Sequence, residues 1–207
     1  SIYYKGELMT LSPAKVQDFL KNDIYHGKTI GAIGNRVADG VVTINNKQYQ
    51  MDINEGSCTL HGGRNGLSNQ KFDYSIESSS QHIAVTFVFK KIDMLDGLPG
   101  YIDYSIKYIL NDEGLKIEFN AISDTDTVVA LTNHTYYSLG EKNIKKLKLC
   151  IKADRYVKTD FDTLIPLKME PIFPSLDFNT PKFVIKDIDD SFPTARFFWW
   201  IIWFISI

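Results

Sequence analysis

Three short stretches of the chain hold side chains that could move protons or grip a polar ligand. The first is Ala130-Leu-Thr-Asn-His-Thr-Tyr-Tyr-Ser-Leu-Gly140. Its polar residues interrupt a strand-like segment, where burial costs free energy unless each finds a partner. His134 lies at its centre, and histidine is the side chain whose ordinary pKa lies near neutrality. A lone histidine on a strand is more often a hydrogen-bonded structural residue than a catalyst. The second stretch is Thr59-Leu-His-Gly-Gly63, where His61 directly precedes two glycines. That order suits a side chain held at a turn while the backbone passes close to something. The third runs from Gly31 to Gly40 and contains Asn35 and Arg36. By itself Arg36 reads equally well as a surface arginine after a turn. The four glycines between Tyr25 and Gly40 read as a turn-rich connection. Gly27-Lys28-Thr29 lacks the upstream glycine of a phosphate loop and carries no such function.

Composition narrows what these residues could serve. A chain of 207 residues suits one sizeable core, and the expected organisation is one domain over residues 1–196. The net charge of −2 offers no basic surface for nucleic acid and no acidic tail. Cys58 and Cys150 are far apart and show no metal-ligand spacing. They read as incidental or core thiols in a reducing, cytoplasmic setting. The N-terminal residues do not follow the pattern of a secretory signal.

The elements that must position the three stretches are mostly strands. Ser12-Pro13 followed by Val16, Phe19 and Leu20 predicts one short helix over 13–21. Segments 41–44 and 48–53 flank Asn45-Asn46-Lys47 as a hairpin. Segments 72–77, 83–89, 102–110 and 115–122 predict four more strands. In the third, Ile102, Tyr104, Ile106 and Tyr108 alternate with Asp103, Ser105 and Lys107. A further strand is expected over 146–152, then a proline-containing segment over 160–181. Many short strands at near-regular spacing predict an all-β fold, an antiparallel sandwich or barrel. Phe197-Phe-Trp-Trp-Ile-Ile-Trp-Phe-Ile-Ser-Ile207 departs from that pattern and holds every tryptophan of the chain. As a helix rising about 1.5 Å per residue it falls well short of the ~30 Å hydrocarbon layer, so no membrane span is expected.

Taken together, Gly31-Ala-Ile-Gly-Asn-Arg-Val-Ala-Asp-Gly40, Thr59-Leu-His-Gly-Gly63, Asp96-Gly-Leu-Pro-Gly100 and Leu131-Thr-Asn-His-Thr-Tyr-Tyr-Ser-Leu139 resemble the aldose 1-epimerase (galactose mutarotase) family. Their order and spacing agree with the family from about Tyr25 to about Phe178. The resemblance implies an antiparallel β-sandwich of the galactose mutarotase type whose cleft binds a small-molecule hexose. It implies interconversion of α and β anomers by acid–base ring opening, with no metal and no organic cofactor. His134 matches the family's general acid. His61 matches a second site histidine, Arg36 a sugar-binding arginine with Asn35 beside it, and Tyr136 a residue near the sugar. His26 and His82 match nothing and read as surface or structural.

The chain also departs from the family pattern. Ala32 stands where the family loop has an arginine. The family's sugar-binding Asp-His element and its general-base glutamate have no counterpart, although Ile188-Asp-Asp-Ser-Phe192 resembles the approach to the former. The expectation is an incomplete mutarotase fold, short at both ends, whose composition breaks after Arg196 as in a truncated or frame-shifted reading. Two functions compete on these grounds: an aldose 1-epimerase, or a non-catalytic sugar-binding relative that keeps the acid and lacks the base. A purely structural sandwich is the third, and it requires that His61, His134 and Arg36 share no cleft.

Overall fold

The computed structural model describes residues 1–13, 15–21, 24–143 and 146–183. The aromatic run at 197–207 and the segment 188–192 lie outside the described residues. The chain divides into two compact units. One is Thr29–Leu131; the other joins Ser1–Lys28 to Thr132–Ile207.

The Thr29–Leu131 unit is built on a four-stranded antiparallel sheet. Its strands, in chain order and in spatial order, are Asp73–Ser78, His82–Lys91, Ile102–Asn111 and Gly114–Ser123. The alternation seen in the sequence decides which face is covered. Ile102, Tyr104 and Ile106 are buried in one cluster with Leu67, and Phe72, Phe89, Tyr108, Phe119 and Leu131 pack against it. Ile106 sits between Phe87 and Phe119 on the neighbouring strands. Covering one such side chain is worth about 1.5–3 kcal/mol. The sharp reversal at Asn111 is local chemistry: its Oδ1 accepts from the Glu113 and Gly114 amides, both at 3.0 Å.

Smaller hairpins complete this unit. Val41–Ile44 pairs with Lys47–Gln50 across Asn45 and Asn46. Both asparagines have positive φ, 50° and 63°, the mirror-image turn that matches the twist of paired strands. Lys47, expected in the loop, therefore opens the second strand. Arg36–Ala38 pairs with Cys58–Leu60. A second buried cluster of Ala32, Met51 and Leu98 joins these loops to the Asp96–Gly100 turn.

That turn is held by a buried ion pair. Lys91 Nζ lies 3.2 Å from Asp96 Oδ1, and it donates to the Leu98 and Gly100 carbonyls at 2.9 and 3.0 Å. Asp96 Oδ1 also accepts from the Leu98 amide at 3.1 Å. Burial and the neighbouring Asp96 carboxylate push the Tyr104 phenol well above its usual pKa.

The other unit is made of much shorter pieces. Thr10–Leu11 pairs with Tyr136–Tyr137, and Lys148–Leu149 with Lys182–Phe183. Of the strand expected over 146–152, only Lys148–Leu149 pairs. The proline-containing segment holds a hairpin that the sequence pattern did not reveal. Arg155–Thr159 pairs with Pro166–Pro171 around Asp160, whose Oδ1 accepts from the amides of Asp162 and Thr163 and from the Thr163 hydroxyl. The core of this unit is Leu176 and Phe178, with Leu147, Leu149, Ile151 and Tyr156 against them.

The described residues are all-β apart from short 3-10 turns, and no helix among them is long and apolar enough to cross a membrane. The helix expected over 13–21 is corrected by the structure to a six-residue 3-10 helix, Val16–Lys21. The reason is packing. Val16 and Leu20 are 85% and 87% exposed, so their helical spacing presents no face to a core. Without such a face, a helix this short has little to hold it in the α form.

Candidate functional site

The five expected site residues fall into two groups, one in each unit. Asn35, Arg36 and His61 lie together in Thr29–Leu131. Asn35 directly precedes the strand Arg36–Ala38, and His61 directly follows its partner Cys58–Leu60. Because the strands are antiparallel, that places Asn35 and His61 side by side. The His61 amide donates to the Asn35 carbonyl at 3.0 Å, and the Asn35 amide donates to His61 Nδ1 at 3.1 Å. A ring nitrogen that accepts carries no proton, so neutral His61 bears its proton on Nε2. Asn35 and His61 both have positive φ, 69° and 57°, each at the point where the chain leaves the strand pair.

The amide of Asn35 is oriented as firmly as the ring. Its Oδ1 accepts from the Arg36 amide at 2.6 Å, which leaves Nδ2 as the donor end. Nδ2 is buried and has no hydrogen-bond partner among the described residues. A buried donor left unmet costs about 1–3 kcal/mol, so such a group is expected to answer to a ligand or water. Arg36 Nη2 reaches Glu55 Oε1 at 2.6 Å. The Arg36 guanidinium also lies beside the Cys58 thiol. Burial and then Glu55 push the pKa of that thiol up, and Arg36 opposes them.

Close backbone approach explains the glycines after His61. A Cβ on Gly62, whose φ is +85°, would stand 2.0 Å from the Gly31 carbonyl oxygen. No side chain fits there, so the His61 turn is pressed directly against the loop that leads to Asn35. Arg64 then fastens the far side of the turn to Asp52, through its amide at 3.1 Å and its guanidinium at 2.5 Å.

His134 and Tyr136 form the second group. The His134 amide donates to the Lys28 carbonyl at 2.9 Å, and the Gly27 amide donates to the His134 carbonyl at 2.9 Å. The ring is buried between aromatic neighbours. Tyr25 stacks at 5.8 Å between centroids, and Tyr136 lies at 5.0 Å. His26 meets Tyr136 edge-on at 4.6 Å. Burial pulls the His134 pKa down to about 4; the charge of His26 adds to that, and a backbone hydrogen bond opposes it. His134 is therefore uncharged at neutral pH. Burial lowers His26 too and raises Tyr136. The sequence does not reveal that Tyr25 and His26 lie beside these rings. No spacing signal marks them, since they meet His134 through a pairing between positions more than one hundred residues apart.

Chemically, the first group is a set of N–H donors at one end of one strand pair: Asn35 Nδ2, His61 Nε2 and the Arg36 fork. Such donors suit the oxygens of a polyhydroxylated ligand. The second group is a buried imidazole among aromatic rings, able to give or accept a proton once a ligand or opposite charge raises its pKa.

Comparison with known proteins gives one consistent result. The family profile described as aldose 1-epimerase matches residues 2–196. Galactose mutarotase of Sus scrofa is 31% identical over 161 residues, covering 76% of this chain and 46% of that protein. Aldose 1-epimerase of Haemophilus influenzae is 30% identical over 180 residues, covering 84% of this chain and 52% of that protein. The solved galactose 1-epimerase of Lactobacillus acidophilus superposes with a TM-score of 0.82 at 31% identity, over 92% of this chain and 58% of that one. The chain thus spans about half the length of the curated relatives it matches.

Proposed function

We propose a function that proceeds from one fact: the chain belongs to the aldose 1-epimerase family. Its site binds a hexose such as galactose or glucose and serves interconversion of the sugar's α and β anomers. In that reaction His134, its pKa raised by bound ligand or an opposite charge, protonates the ring oxygen while a base removes the anomeric hydroxyl proton. The ring opens to the aldehyde, the C1–C2 bond turns, and closure on the other face reverses both transfers. Asn35, Arg36 and His61 hold the sugar through its oxygens, and Tyr136 packs near it. The proposed setting is cytoplasmic. The observation that carries this function is the reciprocal Asn35–His61 pairing, which fixes a ring N–H and leaves a buried amide donor unmet beside Arg36.

A second function is favoured by a specific observation at His134. Burial draws its pKa down to about 4, and the charge of His26 adds to that. A carboxylate opposite the ring would raise that pKa toward neutrality. The base glutamate implied by family resemblance has no match in these 207 residues. A chain that binds sugar but lacks that partner forfeits a term worth about 10²–10⁴-fold in rate. Polarimetry of freshly dissolved α-galactose separates the two. A rate above buffer that disappears in His134→Gln supports the isomerase. A rate equal to buffer defeats it, and saturable galactose binding then supports the sugar-binding relative. Neither activity nor binding would sink both.

A further inference from the structure

The loop before His61 contains two residues that touch the proposed sugar-binding group without belonging to any recognised motif. Asn54 and Glu55 open a tight reversal. The amides of both donate to the Cys58 carbonyl, at 3.3 and 3.2 Å, and the Cys58 amide donates to the Glu55 carbonyl at 2.9 Å. The reversal turns both side chains back toward the strand pair that ends at Asn35 and His61. The Asn54 side chain accepts from the Leu60 amide at 2.7 Å and donates to the Leu60 carbonyl at 3.0 Å. One amide thus satisfies both backbone groups of the residue that leads into His61, as a neighbouring strand would. Glu55 Oε1 meanwhile takes Arg36 Nη2 at 2.6 Å.

We propose that Asn54 and Glu55 together form the positioning element of the sugar-binding group, Asn54 fixing the backbone entry to His61 and Glu55 fixing the Arg36 fork. This rests on the hexose-binding function above. The physical case is preorganisation. Arginine has much rotamer freedom, and a side chain already held in its bound geometry loses less of it when a ligand arrives. The Arg36 side chain is only 11% exposed and Glu55 is 42% exposed, so the pair sits at the edge of a cover with the guanidinium inside. Charge-assisted bonds of this length hold geometry as well as adding energy. Glu55 does not touch the reacting atoms in this scheme; it acts through Arg36.

Two measurements on the full chain test this. The first uses no sugar. Nitrogen-15 NMR of the Arg36 guanidinium, assigned with Arg36→Lys, should show separate Nη signals because rotation is hindered. Glu55→Gln, which is isosteric, should merge them while the amide spectrum of the four-stranded sheet stays unchanged. Merged signals in the wild-type chain, or signals still separate in Glu55→Gln, would overturn the proposal. The second is galactose titration. Glu55→Gln should weaken binding roughly tenfold, as expected for loss of one charge-assisted contact, and Glu55→Asp should recover part of it. Binding unaltered in Glu55→Gln would also overturn it. A wild-type chain that binds no galactose defeats the hexose-binding function instead, and the Arg36 signals alone then decide whether Glu55 holds the fork.

Discussion

The two units hold their proposed site residues by different means. In Thr29–Leu131, Asn35, Arg36 and His61 sit at the end of a strand pair, and Val37 of that pair packs on the buried cluster of Ala32, Met51 and Leu98. In the other unit, His134 directly follows the two-residue strand Thr132–Asn133, Tyr136 opens the two-residue strand Tyr136–Tyr137, and the buried core is Leu176 with Phe178. The proposed sugar-binding group thus rests on a three-residue strand pairing and the His61–Asn35 backbone bond that extends it. The proposed acid is tied through its backbone to the 27–28 segment and is flanked by aromatic rings. Binding and proton transfer are expected to differ in sensitivity for that reason.

The largest effect should come from the ion pair at the base of the stronger unit. Asp96→Ala leaves Lys91 buried and unpaired, which typically costs about 3–5 kcal/mol. Urea unfolding should register that loss, and hydrogen exchange should place it in Thr29–Leu131. A loss below about 1 kcal/mol would mean that this unit is not anchored by its buried pair.

Acid should act on the weaker unit. The folded pKa of His134, about 4, lies below the ordinary 6.5 of an unfolded histidine. The unfolded chain therefore takes up more protons between these values, and stability rises with pH across them. It is fully present above about pH 6.5 and is lost as pH falls toward 4. His134→Gln should flatten that part of the pH profile of unfolding. A profile with the same slope in both proteins would remove the buried, neutral imidazole from the account.

Gly62→Ala should be smaller and confined to the His61 turn. Its Cβ meets the Gly31 oxygen, and its φ is unfavourable for alanine, so about 2 kcal/mol of strain is expected. Galactose binding should weaken with it, while the pH dependence contributed by His134 should not move. Smallest of all is Lys90→Ala. The Lys90–Asp103 pair is well exposed on the same sheet, and its loss should change stability by less than about 0.5 kcal/mol. A large effect there would contradict the contrast drawn with Lys91–Asp96.

The same contrast runs through what could be read from the residues alone. The four long strands were legible because Ile102, Tyr104 and Ile106 alternate with polar residues, and a sheet with one buried face needs that alternation. Two-residue strands leave no periodicity, so Thr10–Leu11, the partner of Tyr136–Tyr137, was invisible. The hairpin at 155–171 was hidden by its prolines, which stand at the two ends of the second strand, with the register shifting beside Pro166. Val16, Phe19 and Leu20 mimicked an amphipathic helix because spacing records a face and not whether anything packs on it. At the site, Asn35, Arg36 and His61 were legible as a motif. Glu55 and His26 were not, since a salt bridge across a reversal and a ring contact across the chain leave no local pattern.

The central claim is that Asn35, Arg36 and His61 form one hexose-binding group on the Thr29–Leu131 unit. The most direct test is a galactose titration of the 207-residue chain, following the Arg36 guanidinium and His61 imidazole signals by NMR. The account predicts that both shift together along one saturable curve, and that Arg36→Ala abolishes the curve with the sheet signals unchanged. Absence of any saturable shift, or a curve that survives Arg36→Ala intact, would contradict it.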